Sequence, residues 1–338
     1  MLIYTIRRLI SSFLVLLVAS FIVFMFAASS YDPLKPFRAR NPQPSPAFFA
    51  AKSHLYHLDQ PLLTRYWNWL VHMVGFTSNP PFLRFNFGSD VNGASVADSL
   101  GGRLQITVRM VVGAIILAAL LAIVLGVISG VRRDKPFDAV ATLFTFLLLA
   151  LPTFWFAAVL KDAAIRLNQG LNLTTWRIGT AGTESFGAPP TNGFFSFNQD
   201  EFLHIILPVL SLGLLTASGW IRYQRASTID VLEADYMRLA RAKGVRNRTV
   251  IRRHGLRNAL IPLVTVMAID IGALFGGAII TEKVYVWHGM GEYLNTAIGA
   301  EDTYAVAGWV MVSAIFVVLF NLLADLLYAV LDPRIRLA

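Results

Sequence analysis

The chain has 338 residues, of which 56% are hydrophobic and 14% charged, with a mean hydropathy of +0.59. That balance excludes an ordinary soluble domain of this length and points to a chain solvated largely by lipid. Cysteine is absent, which excludes disulfides, thiolate catalysis and cysteine-ligated metal, and the formal net charge is +9.

A helix needs about 20 consecutive, mostly apolar residues to cross the hydrocarbon core. Six segments reach that length, roughly 9–29, 110–131, 137–160, 202–221, 261–281 and 304–331. The reading is an all-α polytopic membrane protein with six transmembrane helices, forming a single transmembrane domain over 1–338. Arg7 and Arg8 before the first run and Ala27, Ala28 and Ser29 after it resemble a signal peptide. A signal core runs about 7–15 residues, and the uncharged stretch from Leu9 to Ser29 is longer, so a retained anchor helix (1–29) is expected.

Residues 30–104 form a large external region. Its start, YDPLKPFRARNPQPSPAFFA, is proline-rich and reads as irregular, with 35–54 as added external sequence. In LDQPLLTRYWNWLVHMVGF the residues Leu63, Tyr66, Trp67, Leu70 and Met73 recur at helical spacing. Their face lies on the membrane surface or, the preferred reading, packs on the external ends of the spans. Later come a basic turn, Arg132-Arg133-Asp134-Lys135, and an external loop over 161–201 with little helical signal. Pro152 and Pro208 fall inside the third and fourth spans, where proline kinks a helix. The glycines of the short 282–303 loop imply tight turns.

Ten of the 29 Lys and Arg residues fall between Arg222 and Arg257, against three acids, Asp230, Glu233 and Asp235. Short basic loops remain cytoplasmic. Arg7/Arg8, 132–135, 222–257 and Arg334/Arg336 alternate correctly with six spans, which places both termini in the cytoplasm. A topogenic basic loop would explain this charge. The pattern within it is more specific. Asp230 with Glu233 makes an acidic variant of a capping box, and Leu232, Tyr236, Leu239 and Ala240 follow at helical spacing. Gly244 can end that helix, and Asn247 can cap a second one running toward Pro262. Two short helices joined at a glycine elbow suit a groove on a protein partner, whereas nucleic acid or anionic lipid would require only charge.

The chain has no Gly-Lys dipeptide and hence no P-loop, no His-Glu-x-x-His and no Gly-x-Ser-x-Gly, and its six His residues lack metal-ligand spacing. The reading is a transport subunit, not an enzyme, without cofactor or metal of its own, whose energy comes from a partner or an ion gradient. Polar residues within spans are costly and mark function or pairing. Asp270 sits nine residues after Ile261, about 13 Å into the bilayer at helical rise. It either lines a pathway or pins a neighbouring helix. Glu282 faces a pathway or marks the external membrane edge, the latter preferred. Phe154 and Trp155 form a gate or contact lipid, again with the second preferred.

ARAKG (240–244) followed by RHGLRNALIP (253–262) resembles the cytoplasmic coupling-helix motif of binding-protein-dependent ABC importer permeases, and the spacing from Gly244 to Pro262 is similar to the dipeptide/oligopeptide branch. LDQPL (58–62), LPTFW (151–155), ILPVLSLGL (206–214), WHGMGEYL (287–294) and NLLADLLYAVLDPRIR (321–336) stand in the family's order, so the resemblance covers nearly the whole chain. Gly255 stands where the family has alanine, and His288 where it has proline. The resemblance implies a type I importer-like permease fold in a bacterial cytoplasmic (inner) membrane. It implies coupling to an ATPase through Ala240, Arg241, Ala242, Lys243, Gly244 and Val245 within a coupling region at 229–260. It also implies a second permease subunit, giving a heterodimer, two cytoplasmic ATPase subunits that bind ATP and magnesium, and an extracytoplasmic solute-binding protein. Di- and oligopeptides lead as substrate, while the same branch handles nickel complexes, haem and glutathione. The rival from another class is an ion-driven secondary transporter, for which Asp270 would be the intramembrane acid.

Overall fold

The structure, a computed structural model, describes residues 2–76, 83–173, 176–187 and 198–331. Arg334 and Arg336, on which the cytoplasmic C-terminus rests, lie outside the described residues.

The first apolar run forms α1 (Leu2–Ser30). The proline-rich stretch expected to be irregular contains two short helices, α2 (Lys35–Arg38) and α3 (Pro46–Leu55). Each has its proline in the first turn, where the missing N–H leaves no bond unmade. Ser45 caps α3 by accepting from Phe48 N at 3.3 Å. Next come α4 (Leu62–His72) and a small antiparallel pair, β1 (Val74–Phe76) and β2 (Leu83–Phe85), with Val74 opposite Phe85. α5 (Val96–Leu121) passes through a π turn (Ala122–Gly126) into α6 (Val127–Val131). α7 (Pro136–Ala150) and α8 (Thr153–Gly170) precede α9 (Gln199–Glu233), whose N-cap Asn198 accepts from Glu201 N at 2.7 Å. The remaining elements are α10 (Asp235–Ala242), α11 (Asn247–Val250), a π turn (Ile251–Gly255), α12 (Leu256–Tyr285), α13 (Met290–Gly299) and α14 (Thr303–Leu331).

Among the described residues, five helices are long and apolar enough to cross a membrane, or six if the pair α7 and α8 is one span. The expected third span is therefore broken, bending by 107° between α7 and α8. The cause is local. A residue before proline is pushed out of helical backbone, and Leu151 (ψ 131°) and Pro152 (ψ 139°) are both extended. Pro208 and Pro262, by contrast, stay inside α9 and α12. α8 also continues to Gly170, ten residues beyond the end expected for that span at 160. Similarly, the loop expected after the fifth span contains α13, whose Met290, Tyr293 and Ala297 are buried at helical spacing.

The chain folds as two compact units. The first comprises Met1–Gln105 and Gly289–Val318. Its core gathers Phe24, Tyr66, Trp69, Phe87, Val96, Leu100, Tyr293 and Met311. α4 seats Tyr66 and Trp69 on α1: the Tyr66 hydroxyl is 3.0 Å from Ser20 Oγ, and the Trp69 indole donates to Phe87 O at 3.0 Å. Leu63, Trp67 and Val71 point the other way and are exposed. Of the two readings of this helix, packing on a span describes one face, while the opposite face is apolar and uncovered by the described residues. The Gly88 backbone (φ +94°) passes 3.2 Å below the Tyr304 ring, measured from where a Cβ would stand, so both conformation and space require glycine.

The second unit comprises Ile106–His288 and Leu319–Ala338, with α9 at its centre. Ala118, Ala122, Ala217, Trp220, Ile221 and Leu263 form its main core. A Cβ placed on Gly113, Gly126 or Gly130 would stand 2.9 Å from Val209, 2.7 Å from Gln224 and 2.7 Å from Thr228 respectively. These contacts ascend together in both segments, so α5–α6 and α9 run parallel, nearly backbone to backbone. Small residues permit that approach in a bundle whose packing is driven by van der Waals contact.

Candidate functional site

The expected elbow is present, and its entry lies further along the chain than the capping pattern implied. Asp230 and Glu233 belong to α9, which ends at Glu233, and the chain turns at Ala234 (φ −64°, ψ 147°) before α10 begins at Asp235. The box pattern is equally compatible with a continuing helix, and here the helix continues. Gly244 adopts φ +76° and donates to Arg241 O at 3.0 Å, while Lys243 N donates to Leu239 O at 3.1 Å. This is the left-handed glycine stop expected from the sequence. Asn247 is the first residue of α11 rather than its cap.

What anchors α10 is a residue the sequence reading passed over. Met237 is fully buried, as is Val250 of α11. The Met237 Cε lies 3.1 Å from where a Cβ on Gly255 would stand. The departure at Gly255 thus makes room for the methionine that pins α10. Asn258 Nδ2 donates to Tyr236 Oη at 3.0 Å, which ties α10 to α12, and Ser227 Oγ donates to Ala259 O at 2.9 Å, which ties α9 to α12.

The opposite face is open. Tyr236 is 42% exposed and Leu239 59%, and Arg238, Arg241, Lys243 and Arg246 of the same elbow are exposed as well. Ala240 is half-buried, while Arg241, Ala242, Lys243, Gly244 and Val245 are exposed. A fully solvated basic loop has no use for exposed Tyr and Leu. Apolar anchors rimmed by charge are the composition of a protein-binding surface.

Just before the elbow stands an ion-pair network that sequence reading missed. Asp138, at the start of α7, is buried and takes both arms of the Arg225 guanidinium, at 2.6 and 2.7 Å. Ser129 Oγ also donates to it, and Asp134 N donates at 3.0 Å. Arg133 bonds Glu233, the last residue of α9, at 2.7 Å. The basic turn at 132–135 read only as a topology signal; here it is tied to the helix that leads into the elbow. A lone acid opening an apolar run was the available sequence signal.

The three expected pathway residues have separate settings. Asp270 accepts from the Trp220 indole at 2.7 Å and is half-buried. Glu282 is fully buried and accepts from Thr107 Oγ1, so within this chain it presents no open surface. Asp270 and Glu282 share α12 twelve residues apart, about 18 Å along its axis. Trp155, in the first turn of α8 just beyond the break, is exposed.

Comparison with known proteins places this geometry. The sequence profile of the binding-protein-dependent transport system inner membrane component matches residues 122–337, and that of the N-terminal membrane component of such systems matches 1–110. The chain belongs to this family. Like the rest of it, it is a multi-pass inner-membrane permease component of a bacterial ABC importer. It is 36% identical to the oligopeptide transport system permease protein OppB of Mycobacterium bovis over 99% of each chain. It is 32% identical to the oligopeptide permease AppB of Bacillus subtilis, covering 98% of this chain and 99% of that one. It is 31% identical to the glutathione permease GsiC of Salmonella choleraesuis over 99% of each. Among solved structures, a chain of the MetNI methionine ABC transporter in an inward-facing conformation superposes with a TM-score of 0.51 at 15% identity, covering 69% of this chain and 96% of that one. At that identity the likeness shows the permease fold.

Proposed function

We propose that this chain is the permease subunit of an ATP-driven importer of di- and oligopeptides and forms the translocation pathway with a second, different permease subunit. Two cytoplasmic ATPase subunits bind ATP and magnesium and dock on the elbow at Ala240–Val245; an external solute-binding protein delivers the peptide. The chain crosses the membrane six times with both termini inside and its large external region between the first two crossings. The observation that carries the coupling role is the exposure of Tyr236 and Leu239 on a cationic elbow whose helix is anchored by the buried Met237. Closing the ATPases moves that helix, and the Arg133–Glu233 and Asp138–Arg225 pairs pass the motion to α7 and α9. Peptide as substrate is supported by the names of the full-length relatives, since glutathione is itself a small peptide. The engagement of Asp270 by Trp220 weighs against an ion-driven carrier.

The test is ATP hydrolysis by the purified assembly with its binding protein, with and without a mixed peptide pool. Peptide should stimulate hydrolysis, and Arg241→Glu with Lys243→Glu should abolish the stimulation while the assembly still forms in the membrane. Hydrolysis indifferent to peptides would move the substrate toward metal complexes or haem. Unchanged stimulation in the charge-reversed variant would remove the elbow from the coupling role.

A further inference from the structure

The external region contains a second polar feature that the coupling mechanism does not use. A cavity of about 490 Å³ is lined by residues that include Arg65, His57, Asn68, His72, Asn86 and Tyr304. Its size falls in the range of small-ligand sites, roughly 300–1,000 Å³. Arg65, on the first turns of α4, is 6% exposed, and its buried Nε has no hydrogen-bond partner among the described residues. Among the described residues, no acidic one lines the cavity. Nor does any described carboxylate pair with Arg65, although Lys35, Arg38 and Arg103 of the same unit each have one. The Tyr304 hydroxyl donates to Tyr56 O at 3.3 Å, so toward Arg65 it offers a lone pair and no charge. Asn86 Oδ1 accepts from Gly88 N at 3.1 Å, which leaves its NH2 group as a donor at the rim.

A buried guanidinium is costly unless paired. Here the fold has buried one against an opening large enough for a guest and supplied no anion. The guanidinium's two parallel donors match the two oxygens of a carboxylate. We propose that this cavity is a carboxylate-binding site whose occupant is the free C-terminus of a short peptide, held by Arg65 with Asn86 at the rim. The identity of the occupant rests on the peptide reading above; the carboxylate chemistry does not. The volume favours a free ligand over a single acidic side chain reaching in from a protein.

The experiment uses the complete importer assembly in lipid nanodiscs and measures the affinities of tri-alanine, tri-alanine amide and sodium acetate by calorimetry. A charge-assisted, two-pronged contact is worth on the order of 10–100-fold in affinity. Tri-alanine should therefore bind at least tenfold more tightly than its amide, and Arg65→Gln should erase the difference. Arg65→Lys should retain part of it, and Asn86→Ala should weaken tri-alanine several-fold and leave the amide unchanged. Equal affinities of acid and amide for the unaltered assembly overturn the proposal without reference to any variant, as does a preference that survives Arg65→Gln or the absence of binding by all three probes. Uptake of tri-alanine into proteoliposomes, measured in parallel, separates the two readings. Uptake without acid preference removes the site and leaves the importer. Arg65-dependent acetate binding without peptide uptake keeps the carboxylate site and removes the peptide as its occupant. Loss of binding-protein docking in Arg65→Gln, with no free ligand bound, overturns the proposal in favour of an acidic side chain of that partner.

Discussion

Glu301 and Asp302 are neighbours in the chain, at the turn before α14, and their surroundings push them in opposite directions. The Lys35 ammonium, hydrogen-bonded to Glu301, holds its carboxyl below the usual range, helped by Asp32 N at 3.0 Å. Burial pushes Asp302 up, against the donors Ala305 N at 2.9 Å and Val91 N at 2.7 Å. The signs follow by linkage. Glu301 adds stability above its unfolded value of about 4 and loses that contribution as pH falls through its folded value. Asp302, with its folded value raised, contributes fully below about pH 4 and loses that contribution as pH rises through the folded value. In melting curves from pH 3 to 7, the deficit of Glu301→Gln should shrink toward the acid end. Asp302→Asn should gain on the parent as pH rises, whatever its constant offset from a mismatched donor. Curves parallel to the parent at every pH would refute both assignments. At the Asp138–Arg225 pair the effect is larger, because the carboxylate is buried. Arg225→Ala should cost roughly 3–5 kcal/mol, the loss typical of a buried charge left unpaired, and replacing both residues by Leu should recover most of it. A loss below about 1 kcal/mol in Arg225→Ala would mean that the pair is solvated in the membrane.

Between elements, three glycines serve three purposes, and alanine substitution should separate them. At Gly130 a Cβ would stand 2.7 Å from Thr228 Cβ and 3.0 Å from the Arg225 carbonyl, so α6 and α9 must part. Gly244 has nothing within 4 Å and only its φ of +76° to lose, a strain of about 1–2 kcal/mol. At Gly255 the obstacle is the mobile end of Met237 at 3.1 Å, and alanine's helix propensity returns about 1 kcal/mol. The expected order of melting temperatures is Gly255→Ala near the parent, Gly244→Ala slightly lower, and Gly130→Ala lowest by a clear margin. If Gly244→Ala fell furthest, the elbow and not the helix contact would control stability. These cases also explain how far the sequence could be read. Long apolar runs are unmistakable because lipid demands them over their full length, and Gly244 was legible because few residues adopt its backbone. The break at Leu151 was hidden, since proline within an apolar run looks the same whether the helix bends or stops; Pro208 and Pro262 did not stop theirs. α13 was hidden by Gly289 and Gly291, which suggest turns although Met290, Tyr293 and Ala297 carry a helical spacing. Arg65 gave no sign at all, because a helical period cannot tell a cation facing water from one enclosed by other segments.

For the whole molecule, the bend between α7 and α8 determines the parity of the topology. α7 has 15 residues and α8 has 18, about 22 and 27 Å of helix, and each falls short of the roughly 30 Å hydrocarbon core. If the two together make one crossing, the chain crosses six times and its ends share a side. If they dip in and return, it crosses five times. Every segment after α8 then inverts, and the ten cations between Arg222 and Arg257 face outward. That inversion would make α9 antiparallel to α5–α6, whereas the two run parallel, and retention of short basic segments in the cytoplasm argues against it as well. The absence of cysteine permits a direct decision, because any introduced thiol is the only one in the chain. Asp134→Cys, Asn172→Cys and Asp235→Cys place it before α7, after α8 and on α10, all at exposed positions. In intact spheroplasts a membrane-impermeant maleimide should label Cys at 172 alone, and in inverted vesicles the positions 134 and 235 alone. Labelling of 134 and 172 from the same side would make the pair re-entrant and place the elbow outside. An elbow outside cannot meet a cytoplasmic ATPase, so the same three thiols decide between that topology and the coupling role together.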